Sequence, residues 1–271
     1  MKQSRSLSSG AAVTAADRSA FSLVELLVVI AIMGILAGML VGLAPAALKR
    51  ARESRVRSEL RALESAIESY KARYGVYPPD GLVLNGTVPR RDLNGNLEVR
   101  PELNPLFYEL TGVIVQKPFE DSGFFVPLGE TVEAAGGSPG TAGPTSITSA
   151  ALRDSFGRDG FVNAATEDRK RSLFRMEFKE SASAGIFIEQ GKPDLRVLAV
   201  GWSGDARRPN QHSGLSWPRN NPKFPSPISS NPQLNPWRYV SSNPTNNPGR
   251  FDLWAEYIEN NEKKLIGNWR H

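Results

Sequence analysis

The chain has 271 residues, a formal net charge of +5, no cysteine, and His212 and His271 as its two histidines. Disulfides and thiolate metal sites are therefore excluded, and a zinc or catalytic site built on histidine nearly so. The length accommodates a leader, a membrane span and one domain of ordinary size. The basic balance does not point to nucleic acid, because its densest cluster, Lys49, Arg50, Arg52, Arg55, Arg57 and Arg61, follows directly on the most apolar stretch. Anionic headgroups or acidic neighbours account for it more simply.

A polar leader, residues 1–20, opens the chain. From Phe21 to Leu43 the sequence is almost unbroken hydrocarbon with one acid, Glu25, set into its start. As a helix this segment would reach about 34 Å, against a bilayer core of about 30 Å. A carboxylate at the head of such a span is costly in lipid and is expected to have a partner.

The run Ser19-Ala20-Phe21-Ser22-Leu23-Val24-Glu25-Leu26-Leu27 resembles the processing site of the type IV pilin superfamily, which includes the pseudopilins of type II secretion. The resemblance implies leader cleavage between Ala20 and Phe21 by a membrane-embedded prepilin peptidase. It also implies N-methylation of the new Phe21 amine, and an acid, Glu25, fifth in the mature chain. The family has glycine before the cut, where this chain has Ala20, the next smallest side chain. Cleavage leaves a charged amine on Phe21 about one helical turn from Glu25. In a bundle of identical helices that amine would neutralise the Glu25 of a neighbour. Removing one partner of a buried ion pair costs about 3–5 kcal/mol, enough to fix subunit register.

Two plainer readings compete. Glu25 could snorkel to the interface and do nothing else. The run could also be a conventional secretory signal with Ala44-Pro45-Ala46 as its cleavage site, although its length and its acid both depart from an apolar core of about 7–15 residues. A count of flanking Lys and Arg places the C-terminal side in the cytoplasm. The processing site implied by the resemblance requires the opposite: a single-pass protein of the bacterial inner membrane with its head in the periplasm.

Residues 44–74 read as a continuation of the helix. Leu48, Val56, Leu60, Leu63, Ile67, Tyr70 and Tyr74 form one apolar stripe. Pro45 should loosen or kink the helix, and Gly75-Val76-Tyr77-Pro78-Pro79-Asp80 should end it. A long helix closed by Tyr-Gly-x-Tyr-Pro again resembles major pseudopilins, in which this junction opens the globular head. The head is expected over 75–271, with a long variable region at about 81–189. There, Glu133–Pro144 reads as a flexible surface loop, Leu173–Phe178 and Ile186–Ile188 read as strands, and Asp92–Glu98 reads as an Asn-Gly turn rather than a cation loop.

The C-terminal strands fall between about 195 and 269: Leu195–Trp202, Trp237–Val240, Phe251–Tyr257 and Lys264–Trp269, with a Pro/Asn-rich loop over Pro209–Pro236. Their alternation suits an antiparallel sheet with one face packed on the long helix. The expected fold is α+β and pilin-like: a long N-terminal helix, membrane-spanning in its first half, packed on a small C-terminal antiparallel sheet. Asn235–Tyr239, Asn247–Trp254 and Ile266–Trp269 resemble the closing blocks of major pseudopilins. In many of those proteins an Asp/Gly-rich loop between the last two blocks binds calcium. Here the segment Glu256–Lys264 lacks an Asp-Gly turn and carries two lysines, so calcium is not favoured and no cofactor is expected.

No phosphate loop, nucleophile elbow or His-bearing triad is present, and Asp154 and Asp159 read as a charged turn. The expectation is a structural filament subunit, not an enzyme: a pseudopilin of type II secretion. Its partners would be the prepilin peptidase and methylase, other copies of itself and related pseudopilins, the secretion assembly platform and the membrane, with no nucleic acid. The alternative is a membrane-tethered binding module, or a type IV pilin or tip subunit, whose enlarged head recognises cargo or a surface ligand.

Overall fold

The computed structural model describes residues 22–119, 122–128, 147–178, 183–186, 195–200, 217, 222–226, 228, 234–259 and 261–269, with the backbone alone over 40–49, 117–119, 122–124, 183–186 and at 259. The leader, Ala20, Phe21, the 133–144 loop and much of the 209–236 loop lie outside the described residues. The protein is α+β, with an N-terminal helix and mainly antiparallel sheets. It divides into two compact units, Met1–Leu48 and Lys49–His271.

Helix α1 covers Leu23–Tyr74 and includes Pro45. In the first unit its described side chains, up to Met39, are exposed. In the second unit Val56, Leu60, Leu63, Ile67 and Tyr70 are buried, and Tyr74 is half-buried. Their alternating spacing of four and three keeps them on one face. Gly75 then ends the helix with φ 79°, its N–H bonded to the Lys71 carbonyl at 2.8 Å, a conformation that glycine adopts without a Cβ penalty.

That helical face shares a core with Leu106 and Leu110 of α2 (Leu106–Thr111), Leu152 and Phe156 of α3 (Ser149–Phe156), and the C-terminal strands. Helix α3 is capped at both ends. Thr148 Oγ1 accepts from Ala151 N at 3.1 Å, and Gly157 sits in the left-handed region directly against Leu82, where a side chain would clash. Two short strands, β1 (Leu84–Asn85) and β2 (Val88–Pro89), precede α2. A mixed sheet of order β5-β4-β3-β6 follows, with β3 Val113–Phe119, β4 Ser122–Pro127, β5 Ile147–Thr148 and β6 Ala164–Ala165. The β3–β6 pair is its one parallel contact.

Strand β7 (Ser183–Ile186) pairs antiparallel with β8 (Leu195–Leu198), and a bridge from Ala199 to Pro236 carries β8 towards β9 (Arg238–Val240). Strands β10 (Asp252–Glu259) and β11 (Glu262–Gly267) complete the order β11-β10-β9. Leu173–Phe178, expected as a strand, pairs with no strand among the described residues. Phe174 N bonds to the Asn163 side chain and Met176 N to the Leu110 carbonyl, so no ladder forms.

Two buried carboxylates tie distant segments together. Asp80 Oδ2 accepts from Ser241 N, Ser242 N and Ser242 Oγ at 3.0, 2.9 and 2.6 Å, while Oδ1 takes Arg158 at 2.9 Å. This fastens the helix terminator to the end of β9. Glu109, on α2, accepts from Tyr70 Oη of α1 at 2.8 Å and from Val162 N and Asn163 N at 3.0 and 2.9 Å. Burial pushes its carboxyl pKa up, against the backbone N–H groups and Tyr70, which favour the charged form. Tyr70 is itself pushed up by burial and by the facing carboxylate.

Candidate processing and assembly site

At the head of α1, Ser22 N donates to Glu25 Oε2 at 2.9 Å and Glu25 N donates to Ser22 Oγ at 3.2 Å. This is a reciprocal capping box: two amides that have no partner inside the helix are satisfied by the two side chains. The carboxylate also lies where the helix dipole favours negative charge. Glu25 therefore has a local partner that the reading from hydropathy missed, and the Ser-x-x-Glu spacing is the signal that reveals it. Ala20 and Phe21, on either side of the expected cut, fall outside the described residues.

The side chains that follow, including Leu26, Leu27, Ile30, Met33 and Leu36, are exposed. A contiguous apolar surface of this kind marks an interaction or membrane site. Among the described residues no helix is long and apolar enough to cross a membrane; the described side chains of this run end at Met39, short of Leu43.

The C-terminal blocks are built around Asp252. Its Oδ2 accepts from Thr245 N, Asn246 N and Asn246 Nδ2 at 2.8, 2.8 and 3.1 Å, and its Oδ1 from Asn247 N and Asn247 Nδ2 at 2.9 and 3.1 Å. Asn268 joins the same cluster, accepting from Asn247 Nδ2 and from Leu253 N at 3.1 and 3.0 Å. Both Asp252 oxygens are thus occupied by N–H donors.

Glu256–Lys264, read from sequence as a loop, is instead the β10–β11 hairpin, in register Glu256↔Leu265 and Tyr257↔Lys264. Its turn uses Asn261 at φ 61°, a conformation asparagine tolerates. Glu256 is held by Arg238 and Lys263, each at 3.3 Å, and Glu262 by Lys264 at 3.2 Å. Calcium needs six to eight oxygen ligands around one point. Among the described residues no three His, Cys, Asp or Glu converge on a metal position. Asp159 pairs with Arg153 at 2.5 Å.

Residues 16–41 match the family described as the prokaryotic N-terminal methylation motif. That motif is consistent with a type IV pilin-like prepilin. It implies processing by prepilin peptidase, pilin-type assembly and anchoring to a membrane through the N-terminal helix. No curated protein and no solved structure matches the chain.

Proposed function

We propose that this chain is a structural subunit of a pilus-like filament, a pseudopilin of type II secretion. Prepilin peptidase removes residues 1–20 and methylates Phe21, and the subunit assembles through its N-terminal helix. The observation that carries the reading is the methylation-motif match over 16–41, at the head of a helix whose described apolar side chains up to Met39 lie exposed.

Before assembly Phe21–Leu43 holds the subunit in the bacterial inner membrane as a single pass, with the head in the periplasm. The capping box keeps the Glu25 carboxylate on the first turn of its own helix. In the bundle the same carboxylate accepts from the Phe21 ammonium of a neighbouring copy, while Ser22 continues to cap the Glu25 amide. The chain is a substrate of the processing enzyme and carries out no chemistry itself. Its partners are further copies, related pseudopilins and the assembly platform. The C-terminal blocks favour a secretion subunit over an adhesion pilin. The described parts of the middle of the head, 81–119, 122–128 and 147–178, support a second reading, a tip subunit or tethered module that recognises cargo.

Cross-linking between helices in membranes tests the assembly role. Glu25→Ala should insert normally, since it removes a costly acid from lipid, yet give a much shortened oligomer ladder. Equal ladders in wild type and variant would reduce Glu25 to its capping role.

A further inference from the structure

In the Lys49–His271 unit the first buried residue of α1 is Val56. Ahead of it Arg50, Arg52, Ser54 and Arg55 are all exposed. At about 100° per residue, Arg50 and Arg52 lie on nearly opposite sides of the helix, with Arg55 roughly 60° from Arg52. The acids of this stretch, Glu53 and Glu59, are half-buried. Glu53 lies 3.4 Å from the Tyr257 hydroxyl, and Glu59 holds Arg55 at 3.4 Å. Among the described residues Arg50 and Arg52 make no ion pair.

A protein neighbour meets a helix from one side and calls for a one-sided stripe. Cations on opposite sides fit a surface that surrounds the helix. After Glu25 the first charges in the sequence are Lys49, Arg50 and Arg52, because Ala44–Leu48 carries none. Arg50 therefore lies about 10 Å of helical rise beyond Leu43. That is close to the headgroup layer, which is roughly 5–7 Å thick on each side of the hydrocarbon, and a long arginine stem closes the remaining gap. Arg61, about 16 Å further along the helix, lies beyond a physiological Debye length of about 8 Å and takes no part.

We propose that Arg50 and Arg52, with Arg55 above them, form a ring that binds the phosphates of anionic lipid headgroups where α1 leaves the bilayer, and so sets the depth of the unassembled subunit. The inference rests on Phe21–Leu43 being the membrane anchor. The partner is an anionic lipid surface, and the same ring must leave its phosphates when the subunit enters a filament.

The chain has no cysteine, so Ser54→Cys gives a single spin-label site on the exposed turn between the arginines. The full-length labelled chain is placed in phosphatidylcholine vesicles with and without phosphatidylglycerol. The immobilised label population should rise with the anionic lipid. Each arginine near such a surface is worth about a fivefold shift, so Arg50→Gln with Arg52→Gln should lower the bound-to-free ratio about thirtyfold. Salt at about 1 M, which cuts the Debye length to about 3 Å, should erase the wild-type effect. Identical spectra in both lipids would overturn the inference. So would immobilisation that follows protein density instead of lipid charge, which would mean that the arginines meet acids of a second copy. Vesicle flotation separates the two claims. A chain that floats with no dependence on lipid charge loses only the ring, whereas one that floats with neither vesicle loses the anchor and the ring together.

Discussion

Along Leu23–Met39 the described side chains are exposed and the side-chain hydrogen bonding is concentrated at the Ser22–Glu25 turn. Beyond Lys49 the pattern reverses. An apolar stripe is buried, and Asp80, Glu109 and Asp252 sit inside the head, bonded to backbone amides as far as 162 residues away in sequence. The first region offers its surface to something outside the chain. The second satisfies itself, including its charges. In the head, carboxylates closed by N–H groups do the joining that disulfides or a metal do in other small domains.

Removing the helix from the head should have the largest effect. A chain starting at Gly75 loses Val56, Leu60, Leu63, Ile67 and Tyr70 from the core. At about 1.5–3 kcal/mol for each buried side chain, the loss is comparable with the whole stability of a domain, about 5–15 kcal/mol. It should be molten or aggregated, whereas a chain starting at Arg52 should melt cooperatively. Equal thermal stability for the two would show that the head does not share its core with α1.

These two regions were not equally legible. The stripe from Val56 to Tyr70, its glycine stop and the approximate positions of β9, β10 and β11 follow from hydrophobic period and turn residues, which act locally. The roles of Asp80 and Glu109 do not, because their partners come from segments far away in sequence and nothing at Asp80 itself announces Ser241. Leu173–Phe178 alternates like a strand, yet its amides go to Asn163 and Leu110. Glu256–Lys264 takes the place of a loop in the resemblance to pseudopilins, whereas pairing across the hairpin sets Glu256 beside Lys263. At the processing site hydropathy located Glu25 but not its bond with Ser22.

Removing a buried carboxylate should cost less than removing the helix. Asp252→Ala removes the acceptor shared by the amides of Thr245, Asn246 and Asn247. The exposed Thr245 and Asn246 amides turn to water, whereas the half-buried Asn247 amide loses a partner, at about 1–3 kcal/mol for a donor left unsatisfied. Urea unfolding should therefore show a loss of about 1–3 kcal/mol. A loss within the scatter of ordinary surface substitutions would mean that water replaces Asp252 freely. Because both Asp252 oxygens already accept N–H bonds, melting temperatures in excess calcium and in chelator should coincide. A calcium-dependent gain, the signature of a ligand bound by the native state alone, would contradict that.

Smaller still is a pH effect at Glu109. Burial raises its native pKa above the unfolded value of about 4.3, so the native state holds the proton more tightly. The Glu109 contribution to stability is then fullest below the unfolded value, declines as pH rises through the native one, and is constant above it. Glu109→Gln should flatten that slope in urea titrations, at the cost of one mismatched donor. An unchanged slope would assign the pH dependence to another group.

The account as a whole turns on the junction between Ala20 and Phe21. Mass spectrometry of the N-terminal peptide, from cells that also express a prepilin peptidase, tests it most directly. The account predicts a mature chain beginning at N-methylated Phe21. An intact Met1 terminus, or a start at Ala47 as a secretory signal would give, would contradict it.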